Sequence, residues 1–167
     1  MNHLVISCIG PDRAGIVDTL STIISRHKGN WQVSSLHHLS NFFAGVIEVA
    51  VEKKNTEALT ADLKNIAGLS CQIELAEPNL AQVSTNLVLE LTANDRAGIV
   101  QEISSVIHHQ GGNLIKLVSS QSSAPHTGQL MFKATVQVAM KEDNVDELIS
   151  ALEHIADDLM VDVTKSS

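Results

Sequence analysis

Two stretches of this chain carry the same chemically able residues in the same order. Gly10-Pro11-Asp12-Arg13-Ala14-Gly15-Ile16-Val17 recurs as Ala93-Asn94-Asp95-Arg96-Ala97-Gly98-Ile99-Val100, with six consecutive identities from Asp12 and Asp95 onward, an offset of 83 residues. In each, a carboxylate, a guanidinium and a glycine precede an apolar run with helical spacing. The first N–H groups of a helix have no partner inside it, and the helix dipole is positive there. A glycine at that point lets a ligand carboxylate or another backbone come close. Each stretch therefore reads as an anion-receptive helix start with Arg13 or Arg96 beside it. The competing reading is that Asp12 and Asp95 only cap their helices and that the glycines only fit the turn. Retention of all six residues in both copies favours binding, although shared ancestry accounts for part of it.

Other chemistry finds less footing. The eight histidines include His37-His38 and His108-His109. Adjacent residues face opposite ways on a strand and diverge by about 100° on a helix, so neither pair is expected to hold a metal. No Cys/His spacing fits a zinc site, and the histidines read as solvated or interface residues, with His27 at a helix end. No Gly-x-Ser-x-Gly or comparable frame surrounds a serine, so no enzyme and no cofactor are expected. The two cysteines, Cys8 and Cys71, are too few for a disulfide framework and lack C-x-x-C spacing. Both are expected on the helix-facing side of neighbouring strands, as small buried thiols kept reduced in a cytoplasmic setting; a redox pair is the less favoured alternative. The apolar run Leu4–Ile9 has no basic residue before it and is too short for a leader. No stretch approaches the ~18 apolar residues of a membrane span.

The elements that must position these turns follow the same repeat. The offset carries Leu4, Ile6 and Cys8 onto Leu87, Leu89 and Leu91, and Gly29-Asn30 onto Gly112-Asn113. The chain is thus expected to be two copies of one unit, residues 1–76 and 85–167, joined by a linker at 77–84 marked by Pro78. Within each, an alternating strand leads into the turn. A helix follows, with apolar residues at Ile16, Val17, Leu20, Ile23 and Ile24, or at Ile99, Val100, Ile103, Val106 and Ile107. It is expected to end at a left-handed glycine, Gly29 or Gly111-Gly112. Second strands are read at Trp31–Leu39 and Leu114–Ser119, third strands at Val46–Glu52 and Leu130–Val138. A second helix carries Leu59, Leu63 and Ile66, or Leu148, Leu152 and Ile155. A last strand holds Cys71, Ile73 and Leu75, or Val161 and Val163. Strand, helix, strand, strand, helix, strand, twice over, predicts an α+β fold of two tandem ferredoxin-like (βαββαβ) units, each an antiparallel four-stranded sheet with two helices on one face.

Two such turns, each between a strand and a helix that ends in Gly-Asn, resemble tandem ACT domains, which are small-molecule regulatory modules. The first copy, together with the chain length and the bare two-unit layout, is similar to the glycine cleavage system transcriptional repressor family. The resemblance implies an amino-acid ligand, glycine being one candidate, held where one unit's first-helix turn meets a neighbouring unit. Carried over by position, its contacts would be Asp12, Arg13, Gly15, Ile16 and Asn30, and Asp95, Arg96, Gly98, Ile99 and Asn113. The family's turn often has proline where this chain has Ala14 and Ala97; alanine fits the same helix start. The resemblance also implies control of transcription through a partner protein, a separate DNA-binding activator.

Charge agrees with an indirect route. The 167 residues hold 11 Lys plus Arg against 19 Asp plus Glu, a net charge of −8, whereas nucleic-acid affinity comes mainly from basic residues displacing counterions. Only 2% of residues are aromatic, and the third strand is expected to turn Val46, Glu48, Ala50 and Glu52 outward, with Met131, Lys133 and Thr135 in the second copy. That excludes the base-stacking sheet of an RNA-recognition module, which has the same element order. A rival to sensing is a purely structural assembly module. Units of about 80 residues are marginal alone, and the outward Val5, Ile9 and Val46, with Phe42 and Phe43 in the hairpin, are expected to present apolar surface. A homodimer is expected under either reading. The copies differ at residues 119–128, a longer and wholly polar hairpin loop, read as a surface loop or as a lid or partner contact.

Overall fold

The computed structural model describes residues 1–77 and 87–164, so all of the expected linker except Glu77 lies outside the described residues. The chain forms two compact units. The first runs β1 (Asn2–Pro11), α1 (Ile16–Arg26), β2 (Asn30–Leu39), β3 (Phe42–Val51), α2 (Lys53–Lys64) and β4 (Ser70–Ala76). The second runs β5 (Leu87–Asn94), α3 (Ile99–His109), β6 (Asn113–Ser123), β7 (Leu130–Ala139), α4 (Val145–Glu153) and β8 (Met160–Thr164). Each has one antiparallel sheet, ordered β2-β3-β1-β4 and β6-β7-β5-β8. This is the expected βαββαβ fold, made twice.

Each core is aliphatic for the reason composition gives: alternate residues of the central strands meet one stripe from each helix. In the first unit Leu4, Ile6, Ile47 and Val49 pack with Leu20, Ile24, Leu59 and Leu63. In the second, Leu87, Leu89, Val136 and Val138 pack with Ile103, Ile107, Leu148 and Leu152. The helix stripes are narrower than expected. Only Ile16, Leu20 and Ile24, and Ile99, Ile103 and Ile107, are buried. Val17 and Val100 are exposed in both copies, because a step of about 100° past Ile16 or Ile99 carries the side chain off the sheet. Leu75, at the end of edge strand β4, is also exposed.

Three local expectations are corrected. Gly29 does not hold the left-handed position after α1: Lys28 does, with φ 59°, where the second copy has Gly111 at φ 80°. Gly29 and Gly112 serve close packing instead, since a Cβ there would lie 2.9 Å from the Ile24 or Ile107 Cγ2. The first hairpin is tighter than read. Ser40 and Asn41, both with positive φ, make a two-residue turn, and β3 begins at Phe42. Phe43 is consequently buried in the core and only Phe42 is exposed. The polar stretch Ser119–Ser123 is strand, paired across to Leu130–Ala134. The connecting loop shrinks to Ala124–Gln129, closed by the Ala124 N–H donating to the Gln129 carbonyl at 2.8 Å.

Two expected results follow. Lys28→Gly relieves a left-handed side-chain clash and should stabilise the first unit by about 0.5–1 kcal/mol, read as a higher thermal midpoint. Limited proteolysis should cut within 124–129 and spare 119–123, whose backbone is held in the sheet; a first cut inside 119–123 would contradict the pairing.

Candidate functional site

Each turn sits where a central strand gives way to its helix. In the first unit the Asp12 N–H donates to the Asn41 carbonyl at 2.9 Å, and in the second the Asp95 N–H donates to the Leu130 carbonyl at 2.9 Å. Both bonds tie the turn to the neighbouring hairpin. The helix N-cap is Gly15 or Gly98, in the left-handed region with φ 85° and 87°. Nothing lies within 4 Å of a Cβ built on either, so these glycines are set by backbone conformation and the space over them is open. Neither cap has a side-chain hydrogen bond. That corrects the reading of Asp12 and Asp95 as helix caps.

The aspartates look the other way. The Asp12 carboxylate meets His38 Nδ1 at 2.5 Å, and the Asp95 carboxylate accepts from the Gln121 amide at 2.5 Å. His38 and Gln121 are themselves 83 residues apart. Each turn therefore has a polar partner on the strand that follows its helix in the chain, which the reading of the histidines as solvated or interface residues does not supply. The repeat offset was the available signal, since it pairs His38 with Gln121 as it pairs Asp12 with Asp95. His27 closes α1 as expected, and its Nε2 bonds Asp62 at 2.7 Å.

Of the ten expected contact residues, the structure brings together four in each unit: Asp12, Arg13, Gly15 and Ile16, and Asp95, Arg96, Gly98 and Ile99. Ile16 and Ile99 are buried beneath their turns and contribute through the core and the helix backbone. Asn30 and Asn113 stand apart. Asn30 follows an 11-residue helix, about 16 Å long, and pairs with Ala50 at the end of the sheet away from the Pro11–Phe42 pair. A small molecule on one unit's turn cannot touch that unit's own asparagine.

The two turns differ in charge. Arg96 Nη1 donates to the Glu102 carboxylate at 3.0 Å, and Nη2 donates to its other oxygen. This fork pushes the guanidinium up and holds Glu102 below the usual carboxylate range, the paired hydrogen bond outweighing the small desolvation cost. Asp158 adds a second negative neighbour to Arg96 while accepting from the Asn94 N–H at 2.6 Å. In the first unit Thr19 stands where Glu102 would be. Arg13 is in no ion pair among the described residues, and its guanidinium lies over Gly68. Among the described residues, the first turn offers an arginine outside any ion pair beside an open helix start; the second offers one paired with Glu102.

Among the described residues no group of three His, Cys, Asp or Glu side chains converges as a metal site, and no helix is long and apolar enough to cross a membrane. Comparison with known proteins agrees with this architecture. Residues 2–74 match the family model described as ACT domain. A crystal structure of an unknown protein from Galdieria sulphuraria superposes with a TM-score of 0.84 over 99% of each chain, at 22% identity. Another, described as a candidate glycine cleavage system transcriptional repressor, gives 0.73 over 99% of this chain and 98% of that one, at 16% identity. At those identities the likeness is one of fold. No curated protein matches the sequence.

Proposed function

We propose, from the premise that the first unit is an ACT domain whose fold the second unit repeats, that this chain is a non-enzymatic sensor of a small amino acid. It acts in the cytoplasm as a homodimer, with domains at 1–76 and 85–167 around the 77–84 linker. The observation that carries the reading is the twice-built turn: a left-handed glycine with open space above it, at a helix start, with an arginine alongside. Such a turn suits a ligand carboxylate, which gains from the unpaired helix N–H groups and the positive helix end. Asp12 and Asp95, already polarised by His38 and Gln121, stand ready to accept from a ligand ammonium group. Asn30 and Asn113 would contact such a ligand only from a neighbouring unit. Glycine is the first candidate, in keeping with the resemblance to the glycine cleavage repressors. A net charge of −8 argues that any control of transcription passes through a partner, a DNA-binding activator, rather than through DNA.

Calorimetry and thermal shift against the twenty amino acids test the sensing half. Heat and a raised midpoint with glycine or a close relative are expected; no response to any of them would overturn it. The exposed Val5, Ile9 and Val46 favour the second reading, a purely structural assembly module, and the turn variants argued below separate the two.

A further inference from the structure

Cys8 and Cys71 stand directly opposite each other on β1 and β4, with their Sγ atoms in contact at 3.4 Å and both thiols free. Cys8 is buried, as expected, but Cys71 is only half-buried on the edge strand. We propose that this pair is a modification site for peroxides, closing to a disulfide within the sheet. Two features carry it. Directly opposed residues of an antiparallel pair have Cα atoms about 4.5–5.5 Å apart, inside the range of about 4.4–6.8 Å that a disulfide spans, so the bond forms without moving the register. The two thiols are also chemically unlike. The Cys71 thiol lies in S–H···S contact with the Cys8 sulfur, and the close pairing pulls the Cys71 pKa down against the opposing effect of burial. That same contact, with burial, pushes the Cys8 thiol up. The more exposed sulfur is thus the nucleophile.

The step balances. The Cys71 thiolate attacks one oxygen of hydrogen peroxide, the O–O bond breaks, and hydroxide leaves to become water, giving a sulfenic acid on Cys71. The Cys8 sulfur then attacks that sulfur, the S–O bond breaks, and the Cys8 proton leaves with the hydroxide as a second water. Two thiols and one peroxide become one disulfide and two waters. The cross-link pins the edge strand to the strand that runs directly into the Asp12–Gly15 turn.

The full chain is exposed to hydrogen peroxide, then quenched and assayed for free thiol, intact mass and unfolding. Both thiols should disappear together with a mass loss of two hydrogens, on a chain that still runs as a monomer without reductant and regains its thiols with dithiothreitol. The oxidised first unit should unfold at least about 5 °C higher. Cys71→Ser should lose its remaining thiol at least about tenfold more slowly than the unaltered chain. Cys8→Ala, a small apolar replacement, should leave a sulfenic acid on Cys71 that dimedone traps. Two thiols still titratable after peroxide, a cross-link between chains, or Cys71→Ser reacting as fast as the unaltered protein would each overturn the assignment.

Discussion

Gly10→Ala is expected to destabilise the first unit strongly while the second keeps its stability. A Cβ on Gly10 would lie 2.1 Å from the Gly68 carbonyl oxygen and 3.2 Å from both the Gly68 carbonyl carbon and the Leu69 Cα. These are backbone atoms, so no side-chain rotation relieves the overlap. Gly68 is itself in a positive-φ turn, at 74°, and Leu69 is anchored in the core. Pushing the carbonyl away therefore strains the turn or withdraws Leu69. Overpacking of this kind costs about 3 kcal/mol or more, a large part of what a unit of this size has to lose. The thermal midpoint of the first unit should fall by about 15 °C. Ala93, buried at the matching position of the second unit, supplies the control: Ala93→Gly should cost only about 1 kcal/mol. Peptide-resolved hydrogen exchange distinguishes the units. A Gly10→Ala chain protected like the parent in residues 1–76 would show that the approach of β1 to the α2–β4 loop is not a constraint.

That contrast marks how far the sequence could be read. Element order, sheet class and most of the core follow from residues whose period is decided locally: Leu4 and Ile6 alternate, Leu20 and Ile24 recur at helical spacing, and their neighbours in space are others of the same kind. Positions governed by contacts distant in the chain were not legible. Gly10 is required by the Gly68 carbonyl, and Gly29 by Ile24 and Val49; glycine's tolerance of left-handed backbone points to Gly29 as the cap, a position that Lys28 holds instead. The polar run Ser119–Ser123 reads as loop by composition, yet edge strand β6 needs few apolar residues once β7 supplies its hydrogen bonds. At the candidate site, the turn is legible because it is repeated. Its unequal charge is not, because Glu102 reaches back six residues to Arg96 and Asp158 comes from a position distant in the chain.

The same inequality yields the sharpest expected result on ligand response. Gly15→Asp should abolish it in the first unit at little cost to the fold. The position is in the left-handed region, which aspartate tolerates better than most residues, and a Cβ meets nothing within 4 Å. The added carboxylate would occupy the helix start and repel a ligand anion from the N–H groups it needs. A loss of at least about tenfold in affinity is expected, with the midpoint of the unliganded protein shifted by no more than a few degrees. Gly98→Asp alone should change the response less, because Glu102 and Asp158 already screen Arg96. Glu102→Thr rebuilds the first unit's arrangement around the second turn and frees the guanidinium, so it should strengthen or create binding there. Lowering pH should act in the same direction. Arg96 holds Glu102 below the usual carboxylate range, so the pair survives ordinary acidification, and the second turn opens only once Glu102 takes up a proton. Titration calorimetry on the three variants decides the matter. If Gly15→Asp leaves every heat unchanged and alters only self-association, the turn is an assembly feature and the sensing reading fails; if Glu102→Thr gains nothing while Gly15→Asp loses everything, the second turn is not a site and the first alone carries the response.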